Sequence, residues 1–179
     1  MKVFVISDTH FYHKNIIRYC NRPFESIEEM NAALIKNWNK TVSNDDIVIF
    51  CGDFCFCRTA EKKEVTTAIT NQLNGHKIIV KGNHDFKQLK YTDCGWDAEF
   101  YQEWAINGLN FRHRPDNIQS DAEKWDIIFY GHVHDKVIGN APVNTINVCV
   151  DVNDFRPLDI TNYFIESELK EIQKLIKID

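Results

Sequence analysis

Five short motifs occur in one order along the chain: Asp8-Thr9-His10, Gly52-Asp53, Gly82-Asn83-His84-Asp85, Arg112-His113-Arg114-Pro115 and Gly131-His132-Val133-His134. Their imidazoles, carboxylates and single amide suit borderline divalent ions such as manganese, iron, zinc, cobalt or nickel better than calcium or a thiolate-seeking ion. Magnesium alone would favour fewer imidazoles. The candidate donors Asp8, His10, Asp53, Asn83, His113, His132 and His134 exceed the roughly four to six that one ion takes. Two ions sharing a carboxylate account for the surplus. Such ions, about 3.5–4 Å apart, lower the pKa of a shared water toward neutrality and hold both the attacking and the leaving oxygen of a phosphoryl group. Hydrolysis of a phosphoester is the chemistry this set suits best.

Each motif follows a β-branched or aromatic run that reads as a strand: Val3 to Ile6, Ile47 to Phe50, Ile78 to Val80, Leu109 to Phe111 and Ile127 to Tyr130. The donors therefore sit where strands end, and loops beyond the carboxyl ends of strands converge on one crevice. On an extended chain, residues two apart point the same way, so Asp8 with His10 and His132 with His134 are each expected to form a pincer. His13 to Cys20 reads as a short helix stopped by Pro23. His13 and Asn15 lie at its start, where backbone N–H groups attract phosphate, and both are candidates for substrate contact. Arg112 and Arg114 alternate away from His113; solvent-facing charge is the default for both, with Arg114 a further candidate for substrate contact.

Ser26-Ile27-Glu28-Glu29 reads as a capping box that opens a helix to about Lys40, and Thr59 to Leu73 as another helix, ended by Asn74-Gly75. Glu99 to Ile106 and Thr145 to Val150 complete the strands. In the last segment, Thr161 to Ile178, residues Ile165, Leu169, Ile172 and Ile176 share one helical face. That face is expected to pack on a sheet, with a homodimer seam as the alternative.

Together these residues resemble the calcineurin-like metallophosphoesterases, whose pattern is D-x-H, G-D, G-N-H-[DE], a lone His and G-H-x-H. The match runs from Ile6 to His134, and Asn147 to Asp151 resembles the closing strand of that family. The stretch Asp8 to Ile17 followed by Asn21-Arg22-Pro23-Phe24 is similar to a small, bacterial-type single-domain subfamily. The resemblance implies an α/β fold, a four-layer αββα sandwich of two mixed sheets flanked by helices. It implies that Asp8, His10, Asp53 and His134 hold one ion, and that Asp53, as bridge, joins Asn83, His113 and His132 around the other. His84 would then contact the phosphate and protonate the leaving alkoxide, a role that suits a near-neutral imidazole. Many relatives read G-D-x-x-D, whereas Gly52-Asp53-Phe54-Cys55-Phe56 lacks the second carboxylate. That weakens a protein-phosphatase reading and leaves open whether Asp85 replaces it.

The length of 179 residues fits one domain over 1–179, and the chain shows no linker, repeat or apolar stretch long enough to span a bilayer. No signal-peptide pattern opens it, Cys51 and Cys149 lie in apolar strand runs and Cys20 and Cys94 lack a paired spacing, so a cytoplasmic protein with reduced thiols is expected. Cys55 and Cys57 read as packing residues. The net charge of −5 argues against extended nucleic-acid binding but not against a small phosphorylated substrate, since the metals supply local positive charge. A nucleotide, cyclic nucleotide or other small phosphodiester is the leading substrate class, with a phosphomonoester next. A nuclease acting on nucleic-acid ends and a catalytically silent protein-binding scaffold are the rivals.

Overall fold

The computed structural model describes residues 1–178; Asp179 lies outside them. Strands β1 (Val3–Ile6) and β2 (Ile47–Phe50) are buried along their whole length, as is all but the first residue of β3 (His76–Val80). Covered on both faces, β1 and β2 run as unbroken apolar blocks rather than in alternation, as does β3 from Ile78 onward. The three lie parallel, β4 (Ala98–Phe100) adds in parallel beyond β3, and β9 (Leu158–Asp159) pairs antiparallel with β1. The order is β4-β3-β2-β1-β9. A second sheet, in the order β5-β6-β7-β8, comprises β5 (Glu103–Ile106), β6 (Leu109–Arg112), β7 (Ile127–Tyr130) and β8 (Thr145–Asn147). Here only β5 and β6 are antiparallel.

Alternation along the strands builds the layers. Val3, Val5, Ile47, Ile49, Ile78 and Val80 share a core with Leu109, Phe111 and Phe129 of the second sheet. Their neighbours Phe4, Ile6, Val48, Phe50 and Ile79 turn outward to a helical layer. That layer holds α1 (Lys14–Tyr19), α2 (Ile27–Thr41) and α3 (Lys62–Thr70), which pack through Ile16, Met30, Leu34, Trp38 and Ile69. The outer face of the second sheet has thinner cover, with Ile128 and Tyr130 under Ile118 of the one-turn α4 (Ile118–Asp121), Trp125, Val133 and Ile138. Two mixed sheets flanked by helices make the expected αββα architecture.

The structure departs from the expected elements in four places. The expected strand over 99–106 is two strands, because Tyr101 and Gln102 carry the chain from the edge of one sheet to the edge of the other. Phe100 and Trp104 stack across that break at 5.6 Å between ring centroids. The strand expected over 145–150 stops at Asn147, whose side chain accepts the Cys149 N–H at 3.0 Å, and Cys149 pairs instead with Ser7 beyond β1. The helix expected over 59–73 is a 3-10 turn, Thr59–Glu61, followed by α3. The terminal segment likewise begins with a 3-10 turn, Thr161–Tyr163, before α5 (Glu166–Ile176). Ile165 is 65% exposed, while Leu169, Ile172 and Ile176 enter the core between the sheets. At the start of α2 the Ser26 hydroxyl accepts the Glu29 N–H at 3.1 Å, but the Glu29 carboxylate takes the N–H of Glu25, not that of Ser26.

Candidate metal centre

The chain turns sharply beyond β1, β2 and β7, and there Asp8, His10, Asp53, His132 and His134 all have positive φ, between 49° and 74°. A left-handed conformation costs a non-glycine residue about 1–3 kcal/mol and persists only when its surroundings enforce it. Here the enforcement is visible. Asp8 N–H donates to the Gly52 carbonyl at 2.9 Å and His10 N–H to that of Asp53 at 3.1 Å. His132 N–H donates to Asp8 Oδ2 at 2.9 Å and His84 N–H to Asp53 Oδ1 at 2.8 Å. A Cβ on Gly131 would collide with Asp8 Oδ2, which is why that position needs glycine.

The expected pincers change accordingly. None of the four residues is extended, and His132 and His134 part company: Asp8, His10 and His134 form one cluster and Asp53, His113 and His132 another, with donor atoms inside 4.8 Å in each. Asp53 Oδ2 reaches both, at 3.6 Å from His10 Nε2 and 3.3 Å from His113 Nε2. Asp8 Oδ1 lies 3.7 Å from His10 Nε2 and 3.8 Å from His134 Nε2. The Asn83 amide oxygen stands 3.0 Å from His113 Nε2.

These residues fit a cation. Asp8 Oδ1 and both ring nitrogens of His10 are buried and have no hydrogen-bond partner among the described residues. An orphaned buried polar atom costs about 1–3 kcal/mol, so several in one pocket imply a ligand that satisfies them. Electrostatics agree. Burial raises the Asp8 and Asp53 carboxyls, yet the surrounding imidazoles pull both below the ordinary carboxylate range. Burial lowers His113, but its hydrogen bond to Asp53 and the charge of Asp8 outweigh that and lift it to about 9. His134 rises against its own burial to about 10, chiefly through Asp151.

Two of the rings are oriented from behind. His113 Nδ1 contacts the Cys51 carbonyl at 2.9 Å and His134 Nδ1 contacts Asp151 Oδ2 at 2.7 Å, so each leaves Nε2 facing the centre. Asp151 is gripped by Arg22 through Nε at 2.8 Å and a terminal nitrogen at 3.0 Å, while Arg22 also donates to the Asp8 and Thr9 carbonyls at 2.7 and 2.9 Å. Asn147 donates to the His134 carbonyl at 2.8 Å. Sequence reasoning places Arg22 in the stretch that resembles the small single-domain subfamily and Asp151 at the end of a strand. It gives neither a role behind His134, because nothing local joins positions so far apart.

The remaining candidates separate. His84 is exposed and, with His13 and Phe56, lines a cavity of about 360 Å³ that opens on His10, Asp53, His132 and His134. His13 packs against Phe56 with ring centroids 4.5 Å apart and planes tilted by 38°, and burial, with His10 and His84 nearby, lowers it to about 4, a neutral ring at pH 7. Asn15 faces a different groove, beside Lys14, Arg18 and Glu25. Arg114 is half exposed and paired with Asp116 at 3.0 Å. Arg112 is not the solvent-facing charge its alternation predicts: it is buried and paired with Asp121 at 2.7 Å and Glu103 at 3.2 Å. Asp85 accepts the Gly82, Asp53 and Phe54 N–H groups and the Tyr91 hydroxyl. Those bonds tie the Asp53 and Asn83 loops together and occupy the carboxylate that sequence offered as a partner for His84.

The calcineurin-like phosphoesterase superfamily domain matches residues 1–150, and the chain belongs to that family of metal-dependent phosphoester hydrolases. An uncharacterised protein of Methanocaldococcus jannaschii is 38% identical over 167 residues, covering 89% of this chain and 87% of the relative. The gene 66 protein of Mycobacterium phage L5 is 33% identical over 79 residues, 44% of this chain and 37% of its own. The crystal structure of a protein of unknown function from Aquifex aeolicus superposes with a TM-score of 0.72 at 27% identity, covering 97% of this chain and 98% of that one. Divalent metal ions are the cofactors the family implies.

Proposed function

We propose that the protein hydrolyses small phosphodiesters, nucleotides or cyclic nucleotides foremost, with two divalent ions, of which manganese is the first choice. The reading rests on one observation: Asp53 reaches two separate donor clusters, the first of which holds buried atoms of Asp8 and His10 that lack partners. Asp8, His10 and His134 would hold one ion, Asn83, His113 and His132 the other, and Asp53 both. When bound, such a pair lowers the pKa of a shared water and offsets the charge that develops on the phosphoryl oxygens. His84 donates the proton to the departing alcohol from its exposed position beside the clusters. Its backbone N–H, bound to Asp53, holds its loop against the centre. His13 and Phe56 form the wall against which the leaving group packs. Among the described residues no helix is long and apolar enough to cross a membrane and the thiols are free; a cytoplasmic location is part of this proposal.

The test is hydrolysis of bis-para-nitrophenyl phosphate against para-nitrophenyl phosphate by purified protein with added Mn2+. Metal-dependent release from the diester is expected, with little from the monoester. Release from the monoester alone would replace the diester reading with a phosphomonoesterase. Activity on neither, with both sites shown filled by elemental analysis, would favour the binding scaffold.

A further inference from the structure

A second groove, of about 410 Å³, adjoins the centre and shares a wall with it, since Asn83 and His113 line both. Its opposite side is made by Tyr101 and Gln102, where the chain passes between the sheets, and by Arg114 and Asn117 beyond β6. Tyr101 is 63% exposed. The Lys81 ammonium stands over it, 4.5 Å from the centroid. Lys81 is itself fixed by the Leu89 carbonyl at 2.8 Å and Glu99 at 3.3 Å, so it gives the ring a rigid support. The charges of the groove are paired internally, Arg112 with Asp121 and Glu103, and Arg114 with Asp116. What the groove offers besides is the exposed Tyr101 ring, with Lys81 over one face, and the exposed amides of Gln102 and Asn117. That is the chemistry of stacking and edge hydrogen bonding, not of a second anion.

We infer that this groove is a subsite for a planar nitrogen heterocycle, the class to which nucleobases belong, carried on the half of the diester that stays on phosphorus. His84 lines the other cavity, so the alcohol it protonates departs on that side. The retained half then passes Asn83 and His113 and lays its ring on Tyr101. The direction of departure rests on the phosphodiesterase reading; stacking on Tyr101 does not.

Two measurements separate these. The first compares thymidine 5′-(para-nitrophenyl phosphate) with methyl para-nitrophenyl phosphate in Mn2+, esters with one leaving group and different retained groups. The second is calorimetric binding of thymidine 5′-monophosphate to the EDTA-treated protein. The thymidine ester is expected to be preferred through KM. Tyr101→Ala should lower the ratio of the two kcat/KM values about tenfold and weaken nucleotide binding about tenfold, while Tyr101→Phe keeps both. An unchanged ratio in Tyr101→Ala, an equal fall on both esters, or Tyr101→Phe behaving like alanine would each overturn the subsite. Nucleotide binding that depends on Tyr101 in a protein that hydrolyses neither ester would uphold the subsite and reject the phosphodiesterase. Hydrolysis without any preference or nucleotide binding would do the reverse.

Discussion

His134 shows how much of this centre depends on residues that never touch a ligand. Its Nδ1 is held by Asp151, and Asp151 by Arg22, which also clamps the carbonyls beside the Asp8 turn. Supporting carboxylates of this kind are worth about 10–100-fold in metal affinity or activity. Asp151→Ala should therefore bind Mn2+ about 10–100-fold more weakly by calorimetry, with its circular dichroism retained. His84→Ala is a different case, because its ring is a donor to neither cluster. Its kcat on the diester should fall by about 10²–10⁴, the range for losing a general acid, while elemental analysis finds the metal content of the parent. A variant that loses its metals would place His84 among the ligands instead. Asp85 bears on the same question. Its four hydrogen bonds are spent on the loop backbones and Tyr91, so Asp85→Asn should act by loosening those loops, lowering thermal stability together with metal binding.

At the scale of elements, the strands that carry donors were legible in the sequence because burial on both faces writes them as β-branched and aromatic blocks. Val3 to Ile6 and Ile47 to Phe50 were read to the residue. The side chains that the fold gathers into the two clusters were legible too, as strand-end motifs whose glycines mark tight approaches. What the sequence hid is long-range or conformational. Neither the crossing at Tyr101-Gln102 nor strand β9 has a local signature, since both are decided by which sheet edge is free. The left-handed turns at five donors contradict the extended geometry that spacing suggests, because tertiary hydrogen bonds override local preference. The terminal helix was ambiguous for a related reason: an apolar stripe does not say what covers it. In the structure Ile172 is fully buried in the core between the sheets. Ile172→Ala should cost about 2–5 kcal/mol of unfolding free energy, the usual range for such a truncation, read from the urea midpoint, with Mn2+ affinity unaltered. A loss below about 0.5 kcal/mol would mean that the helix is not part of that core.

For the molecule as a whole, the metal centre couples stability to pH, and does so differently with and without metal. His113 and His134 are lifted from 6.5 to about 9 and about 10. A raised histidine contributes stability that is complete below its unfolded value and is lost as pH climbs through the folded one. The metal-free protein should therefore lose thermal stability between pH 6.5 and 10. Asp8 and Asp53 do not offset this, because their depressed values make their contribution constant throughout that range. Bound metal cancels that loss. Ligation needs both imidazoles unprotonated, so binding near pH 7 displaces about two protons and strengthens as pH rises. At a free metal concentration of 100 times Kd each site adds about 2.7 kcal/mol. For a chain of this size about 1 kcal/mol moves Tm by roughly 2–4 °C, so filling two sites should raise Tm by roughly 10–20 °C. Scanning calorimetry with EDTA and with Mn2+ from pH 6 to 9 should show the two melting curves drawing apart as pH increases. Proton release can be counted independently from binding enthalpies in buffers of different ionisation heat. A gap that narrows toward alkaline pH, or binding without proton release, would mean that His113 and His134 are not ligands and that the cation lies elsewhere.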